Sequence, residues 1–237
     1  MIRFRCFFCF AFFCSVCVSL NAQQEKKETK TKVEKSVKPG INKSFVNVNP
    51  QKFVERFERE GREVYDQREQ IIKAIKLKPG TKIADIGAGT GLFTRLFSPA
   101  VGQKGHVYAV DISKNFIKHI TLSCKEKGME NVTGIVCVQD DVKLAPQSID
   151  VAFVCATYHH FEYPNKTLTS IHRALRPQGK LIVIDFDRKK NVSSEWILKH
   201  VRAGKKTVLK EILSNKFKLV EEKKLFKKNY FLQFVKE

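Results

Sequence analysis

The chain lacks a disulfide framework. Of its seven cysteines, Cys6, Cys9, Cys14 and Cys17 crowd into the first 22 residues, and the rest of the sequence keeps only Cys124, Cys137 and Cys155. An odd count excludes a disulfide-stapled scaffold. Cys137 and Cys155 sit in apolar runs, where a free thiol behaves as a small hydrophobe. The two Cys-x-x-Cys pairs imitate a zinc motif, but Phe, Ala, Ser and Val surround them and no polar scaffold does. Lipid attachment is also excluded, because Val16 and not a small residue precedes Cys17. No metal-ligand spacing stands out elsewhere: His106, His119 and His172 are isolated, so no metal site is expected. There is no internal repeat.

A bilayer-spanning run is missing too. The uncharged stretch Cys6–Leu20 has 15 residues, short of the roughly 20 that a spanning helix needs. Arg3 and Arg5 precede it and Asn-Ala-Gln follows, with Ala22 at a cleavage position. Residues 1–22 therefore read as a signal peptide, and the protein as exported to a periplasm or secreted. The alternative is an uncleaved membrane anchor through the same residues.

Acidic residues are scarce: 24 Asp and Glu stand against 44 Lys and Arg, a formal net charge of +20. Such an excess suits nucleic acid or anionic lipid. The lysines are scattered along the chain and are not interleaved with exposed aromatics, which argues for a solvated basic surface and against nucleic acid as a partner. Residues 23–48 are polar and lysine-rich, lack apolar periodicity, and read as a flexible basic linker. Residues 49–237 suit one domain of ordinary size.

In that domain, strands and helices alternate. Asn49-Pro50 starts a charged amphipathic helical region that extends to about Lys76. Strands are expected at Lys82–Ile86, His106–Val110, Val132–Val138, Ile149–Cys155 and Lys180–Asp185, with helices at about 91–98, 113–127 and 164–175 between them. A long helix is expected at about Glu195–Asn215, then a hairpin of Phe217–Leu225 and Asn229–Val235. This pattern is a parallel sheet with helices on both faces.

The chemistry concentrates in Asp85-Ile-Gly-Ala-Gly-Thr-Gly91, a strand, a glycine turn and a helix start. Glycines at alternate positions let the backbone pass close under a ligand. The next strand, Val107-Tyr-Ala-Val-Asp111, ends in a carboxylate that is placed to accept both hydroxyls of a ribose. A dinucleotide fingerprint wants Gly-x-Gly-x-x-Gly, whereas here Leu92 takes the third glycine's place.

Acid, strand, three glycines, helix, strand and acid in that order resemble the class I S-adenosylmethionine-dependent methyltransferases. The likeness runs from about Gln51 to the C-terminus. It implies a Rossmann-like, doubly wound α/β sheet of seven strands, mostly parallel with the last antiparallel. It implies S-adenosylmethionine as cofactor, with Asp85, Gly87, Ala88, Gly89 and Gly91 around the methionine part and Asp111 with Ile112 at the ribose. Val138-Gln-Asp-Asp-Val matches the loop with an acid beside the adenine amino group, Asp140 fitting better and Asp141 standing second. Arg176-Pro-Gln-Gly-Lys180 matches the turn into strand five, with Gln178 where glycine is usual. Arg62, Tyr65 and Arg68 lie in a region that often folds over the cofactor, and Arg68 is a candidate for the methionine carboxylate beside its reading as a surface residue. The segment around His200 often lines the acceptor pocket.

Methyl transfer from a sulfonium needs orientation above all, and a base only when the acceptor carries a proton. The fourth strand ends in Cys155-Ala-Thr-Tyr-His-His-Phe161, so Tyr158, His159 and His160 are the catalytic candidates, with loop scaffolding as their other reading. The absence of a Pro-Pro-Tyr signature there argues against DNA-amino or protein-glutamine methylation. The likeness points to a small-molecule, quinone-type branch that includes exported bacterial members, and a small molecule is the expected partner. The other readings are a nucleoside-binding protein of this fold without catalysis, and a basic surface-binding module. If the export reading holds, N-terminal sequencing of the protein from its native cell begins at or near Gln23; a soluble cytoplasmic protein still starting at Met1 removes it.

Overall fold

The computed structural model describes residues 33–237. The expected signal peptide, and the part of the expected linker before residue 33, lie outside these described residues.

Seven strands form one sheet in the order β3-β2-β1-β4-β5-β7-β6. They are β1 (Lys82–Ile86), β2 (His106–Asp111), β3 (Val132–Val136), β4 (Ile149–Cys155), β5 (Leu175–Phe186), β6 (Phe217–Lys223) and β7 (Asn229–Lys236). The first five run parallel, and β7 inserts antiparallel between β5 and β6. This is the expected Rossmann-like topology. Central strands are buried on both faces, so their alternate residues feed two separate cores. Ala84, Ile86, Leu181 and Val183 face α6 (Pro164–Ala174) and α8 (Lys205–Leu213). Ile83, Ile182 and Ile184 face α3 (Arg68–Ile75) and α4 (Leu92–Val101).

Local chemistry sets the helix starts. Asn49 accepts from Gln51 N–H at 3.1 Å ahead of Pro50, the first residue of α1 (Pro50–Phe57). Ser113 caps α5 (Lys114–Glu126) by accepting from Phe116 N–H at 3.4 Å. Two expected helices are broken. The N-terminal region divides into α1, α2 (Glu63–Asp66) and α3, with Gly61 in the left-handed region at φ 82°. The long helix after β5 divides into α7 (Glu195–His200) and α8, because Gly204 packs against Arg188: a Cβ there would lie 2.9 Å from the Arg188 carbonyl oxygen. β5 starts earlier than expected, at Leu175, which pairs with Ile149. Gln178, in the turn where glycine was expected, has φ 62°.

Residues 34–48 are not a free linker. The buried Glu162 carboxylate accepts from Ser36 Oγ at 2.9 Å and Gly40 N–H at 3.1 Å, and Asn42 is buried. The segment lacks periodicity because it is a strap whose polar groups meet the domain one at a time. Among the described residues, no helix is long and apolar enough to cross a membrane.

Register carries the fold to the site. Ile86 pairs with Val110 and Val154, and Cys155 pairs with Ile184. Gly87, Asp111, Ala156 and Asp185 therefore meet at one edge, the carboxyl ends of the strands. Phe97 is fully buried with ring centroids 5.0 Å from Phe153 and 6.0 Å from Phe93. Phe97→Ala is expected to lower stability by about 3–5 kcal/mol in denaturant unfolding; a loss below about 1 kcal/mol would contradict this packing.

Candidate active site

The glycine loop is built from three left-handed residues, Gly87, Gly89 and Gly91, at φ 72°, 54° and 82°. Each serves a different contact. A Cβ on Gly87 would lie 2.1 Å from the Thr157 methyl, so glycine lets the β4 tip cross the loop. A Cβ on Gly91 would lie 2.7 Å from Ile120, so glycine lets α4 pack on α5. A Cβ on Gly89 would meet only the Phe57 ring at 3.9 Å and its own loop at 4.0 Å. That bare backbone faces open space.

Asp111 closes the loop from below. Its carboxylate accepts from Gly89 N–H at 2.9 Å and Ser113 N–H at 2.8 Å. Burial raises its pKa, and these backbone donors oppose the shift. Asp85 lies deeper, where it accepts from the Thr94 hydroxyl at 2.7 Å. Burial pushes its pKa up to about 7 against that hydrogen bond.

Two cavities meet over this edge. The inner one, about 750 Å³, is lined by Gly87, Gly89, Asp111, Ile112, Phe116, Phe45, Phe57 and Gln139 among others. The outer one, about 1530 Å³, is lined by Asp85, Ala88, Arg62, Cys155, His159, His160, Trp196 and His200 among others. They share Gly87, Gly89, Phe45, Phe57, Ala156, Thr157 and His160. Ala156 has φ 51° and its N–H donates to Ile184 O at 2.8 Å. This left-handed alanine turns Thr157 under Gly87, with Thr157 Oγ1 3.3 Å from the Gly87 carbonyl oxygen.

The strand-four candidates part ways. His159 and His160 line the outer cavity. Tyr158 does not reach either cavity: it is fully buried, and its hydroxyl donates to Glu211 at 2.9 Å beside Arg202. Three consecutive residues in a single 3-10 turn cannot all face one side. His159 Nδ1 lies 2.8 Å from Asp185 Oδ1. His160 Nδ1 lies 3.0 Å from Asn42 Oδ1. The His160 pKa is lowered to about 2, first by burial and then by His159, His200 and Lys38. The His200 pKa falls to about 4, again with burial first.

The acids expected at the adenine are elsewhere. Asp140 pairs with Lys166 at 3.1 Å and Asp141 with Arg173 at 3.0 Å, both on the outside of the β3–β4 connection. Gln139 is the residue of that loop that lines the inner cavity, with its Oε1 accepting from Asn42 Nδ2 at 2.7 Å. Arg68 also stays away: it donates to Tyr65 O at 2.9 Å and lies over the Tyr65 ring. Arg62 reaches the outer cavity instead, donating to Phe57 O at 2.9 Å. Asn42, Phe45 and Phe57 were missed because residues 34–48 read as a linker and α1 carries no motif; the segment around His200 does line the outer cavity, as the resemblance implied, and Trp196 beside it was missed because no motif marks it.

A methyltransferase domain family model matches residues 77–233. The chain belongs to this family. It is similar to the ubiquinone/menaquinone biosynthesis C-methyltransferase UbiE of Shewanella sp. strain W3-18-1, 29% identical over 122 residues, 51% of this chain and 49% of that protein. The UbiE of Shewanella baltica strain OS155 is 30% identical over 118 residues, 49% of this chain and 47% of that one. The chain thus spans about half the length of these curated relatives. A SAM-dependent methyltransferase from Aquifex aeolicus shares the fold with TM-score 0.69 at 22% identity, covering 80% of this chain and 99% of that one. The cyclase SpnF shares it with TM-score 0.64 at 11% identity, covering 86% and 87%.

The cofactor of this methyltransferase domain is S-adenosylmethionine, and the cleft fits it. The backbone at Gly89 is bare toward the cavity, and the Asp111 carboxylate and the Phe45, Phe57 and Phe116 rings line the space beyond.

Asp85 also sets a pH dependence. Its folded pKa lies above the ordinary 3.8. The stability it contributes is complete below that value and is lost as pH rises through about 7. Asp85→Asn is expected to remove this loss and to be more stable than wild type above pH 7, by up to ~4 kcal/mol. Urea midpoints from pH 4 to 8 that stay parallel in the two proteins would exclude it.

Proposed function

We propose that this protein transfers a methyl group from S-adenosylmethionine to a small-molecule acceptor held in the outer cavity. The observation that carries this reading is the boundary that the two cavities share at Gly87, Gly89, Ala156 and Thr157. A cofactor with its nucleoside over Asp111 and its methionine part along the glycine loop would bring its sulfonium methyl to that shared boundary. Arg62, in the outer cavity, is placed for the methionine carboxylate.

The chain's own part is orientation and exclusion of water. The strap and α1 roof the inner cavity with Phe45 and Phe57. The salt bridge of Arg95 with Glu58, 2.6 Å, holds the end of α1 against α4. Enclosure of a cationic sulfonium and its acceptor among aromatic walls strengthens every electrostatic contact between them. His159 and His160 lie where the acceptor approaches. The likeness to UbiE, named for a quinone C-methyltransferase, supports a small aromatic or conjugated acceptor. Export through residues 1–22 is part of the same proposal and places the enzyme outside the cytoplasm.

A second reading is a ligand-binding or non-methylating protein on the same fold, favoured by the likeness to a cyclase. Calorimetry and turnover separate them. Micromolar S-adenosylmethionine affinity is expected, about −8 kcal/mol. Asp111→Ala is expected to lose about 1.5–3 kcal/mol of it, and Gly89→Val to abolish binding. S-adenosylhomocysteine forming with a cell extract supports transfer, and mass spectrometry of the extract names the acceptor. Binding without any such product supports the second reading, and absence of binding removes both.

A further inference from the structure

Three histidines converge in the outer cavity. His159 and His160 end the turn after β4, and His200 ends α7. Their ring nitrogens include one from each residue lying within 4.8 Å of one another. Ring centroids are 4.3 Å apart for His159 and His160, and 5.1 Å for each of these with His200.

The outer partners of these rings decide which nitrogen is free. Asp185 is buried and accepts from His159 N–H at 2.9 Å and Phe186 N–H at 2.8 Å, so its carboxylate is fixed. It lies 2.8 and 3.1 Å from His159 Nδ1, which must therefore carry the proton. Asn42 Nδ2 donates to the His160 carbonyl oxygen at 3.0 Å, which orients the amide and turns Oδ1 toward His160 Nδ1. That nitrogen carries a proton as well. In the neutral form of each ring this leaves the lone pair on Nε2. Among the described residues, no hydrogen bond reaches either Nε2 or the His200 ring. A ring nitrogen held by a carboxylate or amide oxygen on one side, with a lone pair on the other, is the arrangement of a metal-ligating histidine.

We propose that His159, His160 and His200 form a three-histidine site for a divalent transition-metal ion, zinc foremost, with a further coordination position open to the outer cavity. Imidazole nitrogen suits zinc, copper, nickel and iron. Three protein ligands and one open position mark catalytic and not structural zinc. Zinc–nitrogen bonds of about 2.0–2.1 Å in a tetrahedron place ligand atoms roughly 3.3 Å apart. The ligand atoms lie within 4.8 Å of one another, so the rings must draw together on binding; His200, on a half-buried helix end stacked at 4.7 Å on Trp196, has no ring hydrogen bond among the described residues to hold it back. Lys38 donates to the Lys199 and His200 carbonyl oxygens, and Arg56 also lines the cavity. These cations favour an anionic donor in the open position. A hydroxyl or thiol would release its proton to solvent on binding there, leaving an oxygen or sulfur anion. That the anion is the methyl acceptor rests on the proposed transfer reaction; the metal site does not.

The test uses the full chain, stripped with a chelator and titrated with Zn²⁺ by calorimetry and with Co²⁺ by visible spectroscopy. One histidine-dependent equivalent is expected, with the d–d absorption of four-coordinate cobalt. The histidine-dependent step is the one that counts, because other side chains of the full chain, its cysteine thiols included, take up Zn²⁺ adventitiously. His200→Ala, at a half-buried position, is expected to keep its circular dichroism and weaken that step at least 100-fold. Asp185→Asn is expected to weaken it 10–100-fold through His159. Metal binding that is identical in wild type and in folded His159→Ala, His160→Ala and His200→Ala variants overturns the site. S-adenosylmethionine calorimetry on the metal-free protein runs beside it: cofactor binding without metal binding sinks the metal site alone, and metal binding without cofactor binding sinks the transfer reading alone.

Discussion

One carboxylate organises the cofactor side of this protein. Asp111 ends β2 and accepts a hydrogen bond from the glycine loop after β1 and another from the start of α5. Both bonds are made in a nearly dry place, so each is worth more than its counterpart in water. The loop needs an acceptor because Gly89, at φ 54°, turns its N–H inward. The acceptor needs donors because a buried carboxylate without them is costly. Each side satisfies the other, and what remains of the Asp111 oxygens faces the inner cavity.

The rest of the site is assembled against that pair. The carbonyl oxygen of Val110, beside Asp111, accepts from Gly87 and Ala88 N–H at 2.7 and 3.1 Å. With the loop so placed, the β4 tip can cross it only because Gly87 has no Cβ and Ala156 is left-handed. That crossing sets His159 against Asp185 and brings His160 to the strap. The Asp185 carboxylate, at the end of β5, then does for the acceptor side what Asp111 does for the cofactor side. It fixes a backbone turn and a ring at once. The two acids stand at the ends of strands on either side of β1 and β4, where a parallel sheet gathers its carboxyl termini.

The strap deepens the site in a way that the sheet alone does not. Glu162 anchors residues 36 and 40, and Glu63 holds the β6–β7 turn by accepting from Lys227, Lys228 and Asn229 N–H at 2.6 to 3.1 Å. Between these anchors lie Phe45, Phe53 and Phe57: Phe45 packs tilted on Phe53, and Phe53 packs edge to face on Phe57 and on Phe116. The roof is thus aromatic and hung from carboxylates. Polar anchors with an apolar centre let such a segment close over a ligand without losing its register.

The strands, their order of appearance and the glycine loop were legible from the residues alone. Apolar periodicity and turn chemistry act within a few residues, and β1 and β4 were read with their observed bounds. Asp111, Gly87 and Gly89 were legible for the same reason, as neighbours of a strand end. Tertiary structure decided the rest. Which of Asp140, Asp141 and Gln139 turns inward depends on salt bridges from α6, a helix that starts more than 20 residues later. Whether Tyr158 or His159 faces the cavity depends on Asp185 and Glu211. The strap read as a linker because its hydrogen-bond partners lie more than 100 residues away. The histidine cluster had no spacing to betray it, since His200 joins the other two only through the packing of α7 over the strand ends. Local chemistry writes the elements; which side chains share a cavity is set by contacts distant in the chain, and these no short-range pattern encodes.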